Sequence, residues 1–189
     1  PPPPPPPPPI FFFKAEDGNR DALESRGLGD VYKRQFKKRE SVFEVEEGKF
    51  LSPKFDKDGL IPVTTTDSGS GELLMHGYMN EEALKKTIET KEAHYWSRSR
   101  KDIWHKGKTS GFVQKVIDLR IDDDQDALWM SVDIGNGASC HVGYKSCFYR
   151  SIPLGKIENS EEIKLEFKEK EKKFDPEKVY KGQPNPTKI

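Results

Sequence analysis

Cysteine is nearly absent from this 189-residue chain, which has only Cys140 and Cys147, and no apolar run approaches the roughly 20 residues that a membrane-spanning helix needs. In a chain that shows no export signal, a reactive or metal-binding pair is expected in preference to a structural disulfide. Net charge is missing too, because 32 Lys plus Arg balance 32 Asp plus Glu. That balance argues against a protein whose main business is a nucleic-acid backbone or an acidic membrane surface; any phosphate binding should be local. Hydrophobic residues make up 33% of the chain, enough for one modest core and hence one domain. The apolar residues 10–13 are too few for a signal-peptide core and follow no basic segment, so the chain reads as soluble and cytoplasmic.

The N-terminus stands apart. Nine prolines, an isoleucine and three phenylalanines precede residues 14–35, which have no regular apolar period. A polyproline II ligand is one reading. The stronger reading is translated sequencing-adapter read-through behind a homopolymer, and residues 1–35 are set aside as a non-native leader. Residues 36–155 are then the expected domain, and 156–189 a charged C-terminal extension.

Within that domain, residues 36–51 are charged with apolar Val42, Phe43, Val45 and Phe50, and read as a strand or adaptor piece. Asp58-Gly59 and the Gly/Ser cluster 68–71 are turn chemistry, so the β-branched run 61–66 and apolar residues 73–75 predict a hairpin. Asn80 is expected to cap a helix with Glu81 and Glu82 in its first turn, Ala83, Leu84, Thr87 and Ile88 on one face and Lys91 near its end. "AHYWSRSR" reads as a strand, and 112–121 as another with Val113, Ile117, Leu119 and Ile121 on one parity. Leu128, Met130, Val132 and Ile134 mark a third. Strands around one or two helices, without regular βαβ alternation, predict an α+β fold with a mainly antiparallel sheet. In the tail, Ile163, Leu165 and Phe167 alternate like an edge strand and Asp175-Pro176 suits a short helix start. No chemistry is assigned to it.

Three constellations carry chemistry. In "IDDDQD", Asp122, Asp124 and Asp126 recur at spacing two, which on an extended strand puts three carboxylates on one face. Their repulsion is relieved by a hard cation such as Mg²⁺, although an acidic surface turn explains such a string alone more often than not. Asp123 has the opposite parity and, if the strand continues, points toward apolar surroundings, where a carboxylate needs a metal, a cation or a proton. In "GASCHVGYKSCFYR", Cys140 and Cys147 can bind zinc as thiolates, with His141 placed to act on a zinc-bound water. Two thiolates are too few, and the third ligand comes from Asp123 or from His76, His94, His105 or His141. In "YWSRSRKDIWHKGKTSG", the cations Arg98, Arg100, Lys106 and Lys108 alternate with the hydroxyls of Ser97, Ser99, Thr109 and Ser110 and with Trp96 and Trp104. Such a loop suits phosphates. A basic surface hairpin packed on its tryptophans is the plainer alternative, and a phosphate-loop NTPase motif fails because Asp102 stands where glycine is required.

Taken together, "LLMHGYMNEEALKKTIET", "AHYWSRSRKDIWHKGKTSG", "IDDDQDALWMSVD" and "ASCHVGYKSCFYR" resemble, in order and spacing, the phosphoribosyl-AMP cyclohydrolase family over about residues 59–150. The resemblance implies a cyclohydrolase-like fold in an intertwined homodimer, with Zn²⁺ and Mg²⁺ as cofactors and phosphoribosyl-AMP as the small-molecule substrate. It further implies hydrolysis of the N1–C6 bond of the adenine ring in histidine biosynthesis. The family's magnesium aspartates fall on Asp122, Asp124 and Asp126, and its zinc cysteines on Cys140 and Cys147. Between the first two aspartates the family has a cysteine that serves zinc across the dimer interface; here Asp123 stands in its place. Lys108 replaces the glutamate of KGETSG. On this reading His141 and His105 are the catalytic histidines, and Trp96, Ser97, Arg98, Ser99, Arg100, Trp104, Lys106, Thr109 and Ser110 bind substrate and phosphate. The rivals are another metal-dependent purine-nucleotide hydrolase or deaminase, although H-x-E with P-C-x-x-C is absent; a single-stranded nucleic-acid module; and a catalytically degenerate homologue.

Overall fold

Ile61, Val63 and Thr65 are buried while Pro62, Thr64 and Thr66 are not, because every second side chain of an extended strand faces the same way. This strand, β1 (Ile61–Asp67), pairs antiparallel with β2 (Leu73–Met79) across the expected turn, setting Ile61 opposite Met79 and Thr65 opposite Met75. Asp67 shapes the turn by accepting from the backbone N–H and the hydroxyl of Ser70, at 3.1 and 2.6 Å. The computed structural model describes residues 36–156, 159–183 and 187, so the leader reading of residues 1–35 lies outside the described residues. Contacts divide the chain at Lys38: Arg39–Ile189 forms one compact unit, and of Pro1–Lys38 only residues 36–38 are described, without regular structure.

The helix that follows β2 is the one expected. In α2 (Glu81–Thr90) the Asn80 side chain accepts from Ala83 N at 2.8 Å, Ala83, Leu84 and Thr87 are buried, and Lys91 ends the helix in the left-handed region at φ 57°. Only Ile88 departs, at 46% exposed. The first helix is a correction. Residues 42–46, read as strand or adaptor, form α1 (Val42–Glu46), capped by the Ser41 hydroxyl on Glu44 N. Ser at the cap outweighed a short apolar run that suits either period.

After α2 the chain makes a hairpin of β3 (His94–Ser97) and β4 (Asp102–His105), then enters β5 (Lys115–Ile121) and β6 (Leu128–Asp133). The main sheet is ordered β2-β1-β6-β5. Its outer pairs are antiparallel, and the central pair β1 and β6 is parallel, because the crossover through α2 and the small hairpin returns the chain on the same heading. The result is an α+β fold with mainly antiparallel pairing. Leu128, Met130, Val132 and Ile134 are buried as expected. The parity expected along β5 fails: its register shifts between Val116 and Asp118, and Ile117 is 64% exposed. A bulge places two residues opposite one and so exchanges the faces.

In the tail, the expected edge strand shortens to β8 (Glu166–Phe167) against β7 (Arg150–Ser151), leaving Ile163 and Leu165 exposed. Asp175 caps α3 (Pro176–Val179), as its Asp-Pro start suggested. Among the described residues no helix is long and apolar enough to cross a membrane.

Candidate metal centres

Strand β5 stops at Ile121, and residues 122–127 turn sharply into β6. Asp122 Oδ1 accepts from the backbone N–H groups of Asp126 and Ala127, both at 2.9 Å. Gln125, a residue the sequence reading passed over, is buried in the left-handed region at φ 59°. Its amide accepts from Ser52 N at 2.7 Å and donates to Val45 O at 2.9 Å, which roots the turn in the N-terminal segment. The turn brings carboxylate oxygens of Asp122, Asp124 and Asp126 within 4.8 Å of one another. The aspartates therefore converge as expected, but by a folded turn and not along one face of a strand.

The parity argument for Asp123 falls with the strand. Its side chain is exposed in the turn and does not face apolar surroundings. A cation already sits on the cluster: Lys54 Nζ lies 2.9 Å from Asp126 Oδ2 and 3.3 Å from Asp124 Oδ2. The Lys54 ammonium holds the Asp126 carboxyl below its ordinary 3.8 and is itself stabilised in the charged form. Arg39 braces the same turn by donating to Asp124 O at 2.7 Å and Ser52 O at 2.9 Å. Convergent, hard oxygen donors that already attract a cation fit Mg²⁺.

The cysteine pair lies at the other end of β6, a strand of 6 residues and so about 20 Å long. Its loop is tied to the start of β2 by Cys147 N, which donates to Leu74 O at 2.7 Å, and by Ser146 Oγ, which donates to Leu73 O at 2.6 Å. Cys140 is buried and Cys147 exposed. The Cys147 thiol donates to Cys140, and backbone N–H groups of Val142 and Tyr144 add to it, so Cys140 falls from an ordinary 9.0 to about 6 while Cys147 rises. Cys140 is therefore the first of the two thiols to ionise. Thiolate character fits zinc, but two donors fall short of the three or four that zinc takes from protein. Among the described residues the aspartate turn is the one group of three or more ligand side chains, so none of His76, His94, His105 and His141 joins the cysteines. His141 is half-buried beside Cys140 in sequence.

Beneath the loop runs a buried polar chain that sequence reasoning missed. Thr65 Oγ1 and Tyr95 Oη are 2.8 Å apart, Tyr95 Oη donates to Gln114 Oε1 at 2.7 Å, and Gln114 Nε2 donates to Ser139 Oγ at 2.9 Å. Burial pushes the Tyr95 phenol up, so it remains a donor. Thr65 and Tyr95 stand at buried positions of β1 and β3, but no local pattern marks Gln114 and Ser139, which lie outside the strands.

The basic hairpin splits in two. Arg98 stacks over Tyr78 at 4.1 Å and Arg100 over Trp104 at 5.7 Å, on the exposed tip with Ser97 and Ser99. Trp96 and Trp104 are half-buried, Thr109 is exposed, and Ser110 Oγ accepts from Phe112 N at 3.4 Å. Lys106, grouped in sequence with the arginines, is 3% exposed under the Trp104 ring. Burial lowers its pKa, and the negative charge of Cys147 and Cys140 opposes that shift. His105 stacks on His94 at 4.4 Å, and its Nε2 lies 2.8 Å from Glu92 Oε2.

Residues 75–149 match the phosphoribosyl-AMP cyclohydrolase family model. Among curated proteins, the phosphoribosyl-AMP cyclohydrolase of Rhodopseudomonas palustris strain HaA2 is 54% identical over 137 residues, covering 72% of this chain and 90% of its own length. That of Nitrobacter winogradskyi is 47% identical over 143 residues, 76% of this chain and 96% of its own. That of Brucella canis is 58% identical over 109 residues, 57% and 78% respectively. Both metal-type clusters fall inside the matched residues, and the chain belongs to the phosphoribosyl-AMP cyclohydrolase family, a family of hydrolases.

Proposed function

We propose that this chain hydrolyses the N1–C6 bond of the adenine ring of phosphoribosyl-AMP, in the cytoplasm and as a step of histidine biosynthesis. The observation that carries the reading is the Cys140–Cys147 pair, which lies inside the matched residues with the Cys140 thiol held below its ordinary range and which finds no third ligand among the described residues of its own chain. Asp123 is exposed at the far end of β6 and cannot reach the cysteines of its own chain. In a homodimer, Asp123 of the partner subunit supplies the missing donor.

The surface supports such pairing. Beside the edge strand β5, a groove of about 550 Å³ is lined by Leu51, Leu84, Ile88, Ile117, Leu119 and Ile121. An unpaired strand edge flanked by apolar side chains is a surface a second copy would cover. A zinc ion held by the cysteines lowers the pKa of water toward about 7 and so supplies hydroxide at neutral pH. The chain's own residues do the rest. Arg98, Arg100, Trp96, Ser97, Ser99, Thr109 and Ser110 hold phosphates and base at the hairpin, Asp122, Asp124 and Asp126 hold Mg²⁺, and His141 moves the proton to or from the ring nitrogen, with His105 as the second candidate.

The test is a phosphoribosyl-AMP turnover assay on chelator-stripped protein reconstituted with Zn²⁺, Mg²⁺ or both, with sedimentation to read the assembly. Full turnover needs both metals and a dimer. Asp123→Ala should lose zinc and turnover together, and Asp123→Cys should retain zinc more tightly because thiolate is the softer donor. A fully active monomer, or unchanged zinc content in the Ala variant, overturns the shared site.

A further inference from the structure

The charged tail lies against the cysteine loop. Between residues 159 and 173 every described residue is exposed except Glu169, which is half-buried. Its carboxylate reaches into the cysteine loop, with Oε2 accepting from Lys145 N at 2.7 Å and Oε1 from Ser146 N at 2.8 Å. Those are two successive backbone N–H groups immediately before Cys147, and a carboxylate on such a pair forms two charge-assisted hydrogen bonds. On its other side the same stretch is fixed to β2 through Ser146 Oγ on Leu73 O and Cys147 N on Leu74 O. The segment carrying Cys147 is therefore held from both sides, and one side is the tail.

Other contacts make the tail a strap along the whole loop. Lys168 N donates to Tyr149 O at 2.8 Å, Lys173 N donates to Gly143 O at 2.7 Å, and Tyr149 stacks on Tyr144 at 4.0 Å with the Phe167 ring against both. Gly143, at φ 102°, is enclosed by the strap: an added Cβ would lie 2.4 Å from Phe174 O.

We infer that Glu169 is a positioning residue for the cysteine pair, the tail acting as a strap that fixes residues 145–147 so that both thiols keep metal-binding geometry. Glu169 makes no hydrogen bond to either thiol and acts through the backbone that carries Cys147, while its charge also disfavours the Cys147 thiolate. The inference rests on the zinc reading above for its consequence in metal affinity, and on the hydrogen bonds alone for its effect on the loop.

The experiment compares full-length wild type, Glu169→Gln, Glu169→Ala and the charge control Glu171→Gln. In metal-free protein, amide exchange at Lys145 and Ser146 and the rate of thiol modification should rise in both Glu169 variants. The Glu171 control should stay at the wild-type level. Zinc transfer to a chelator should accelerate roughly 10- to 100-fold in Glu169→Ala and less in Glu169→Gln, the range typical for groups that orient metal ligands. The visible spectrum of the cobalt-substituted protein should change in the same order, while the thermal midpoint of Glu169→Gln stays close to wild type. Unchanged exchange, thiol rates and spectrum in both variants overturn the strap. Should wild type itself hold neither zinc nor cobalt, the zinc reading fails, and exchange with thiol modification still decides the strap.

Discussion

The aspartate turn and the cysteine loop occupy opposite ends of β6 and are stabilised in opposite ways. The turn is exposed, and its negative charge is met by cations, Lys54 on two carboxylates and Arg39 on the backbone. The loop rests on the buried Thr65–Tyr95–Gln114–Ser139 chain, and the Cys147 thiol holds Cys140 below its ordinary range, with Lys106 buried nearby. In both cases a chain segment outside the motif does the holding: the N-terminal segment through Gln125 for the turn, and the tail through Glu169 for the loop. The difference teaches that an exposed carboxylate cluster can be balanced by nearby side-chain cations, whereas a thiol pair is set by the backbone hydrogen bonds around it.

Substituting the ligands separates the two regions most strongly. Cys147→Ser should lower zinc content and turnover by more than about 100-fold, beyond the roughly 10- to 100-fold typical of residues that only orient ligands. Its Mg²⁺ binding by calorimetry should be unchanged, and Asp126→Asn should show the reverse pattern. Loss of both metals in either variant would merge the two regions into one.

Gln125→Ala attacks the root of the turn. It leaves the buried Ser52 N–H without its acceptor and the Val45 carbonyl without its donor, so urea unfolding should show a loss of about 2–4 kcal/mol. Gln125→Gly should recover about 1 kcal/mol of that by relieving the backbone alone.

A smaller effect distinguishes the loop by pH. Asp67 ties the β1–β2 turn to Lys145, its Oδ2 lying 3.2 Å from Nζ, and the Ser70 hydroxyl followed by Lys145 holds its carboxyl below the ordinary 3.8. A depressed folded pKa contributes stability that is present above pH 3.8 and is lost as pH falls through the lower folded value. Asp67→Asn should therefore cost about 1 kcal/mol at pH 7 by urea midpoint and close to nothing well below pH 3.8. A difference that persists in acid would show that the hydrogen-bond shape, and not the charge, matters.

The least effect belongs to Lys54→Met. Removing the ammonium that occupies Asp124 and Asp126 should tighten Mg²⁺ binding a few-fold while zinc retention stays level. Weaker Mg²⁺ binding would mean that Lys54 arranges the carboxylates and does not compete for them.

The family, the α+β class, the Asn80-capped helix, the first hairpin and the alternating strand β6 were legible in the sequence, because caps, turn residues and period-two burial are local and each leaves its mark within a few residues. So were the side chains able to hold a metal, since aspartate and cysteine carry their chemistry wherever they stand. Where those side chains went was decided elsewhere. A hydrogen-bonded turn ended β5 before Asp123, a bulge exposed Ile117, and Lys106 sank beneath Trp104, none of which alters the apolar pattern from which parity is read. The long-range partners are equally silent in sequence: Gln125 meets Ser52 across 73 positions and Glu169 meets Lys145 across 24. A backbone N–H looks the same at every residue, so which carboxylate or amide will satisfy it is settled only when packing brings the two segments together.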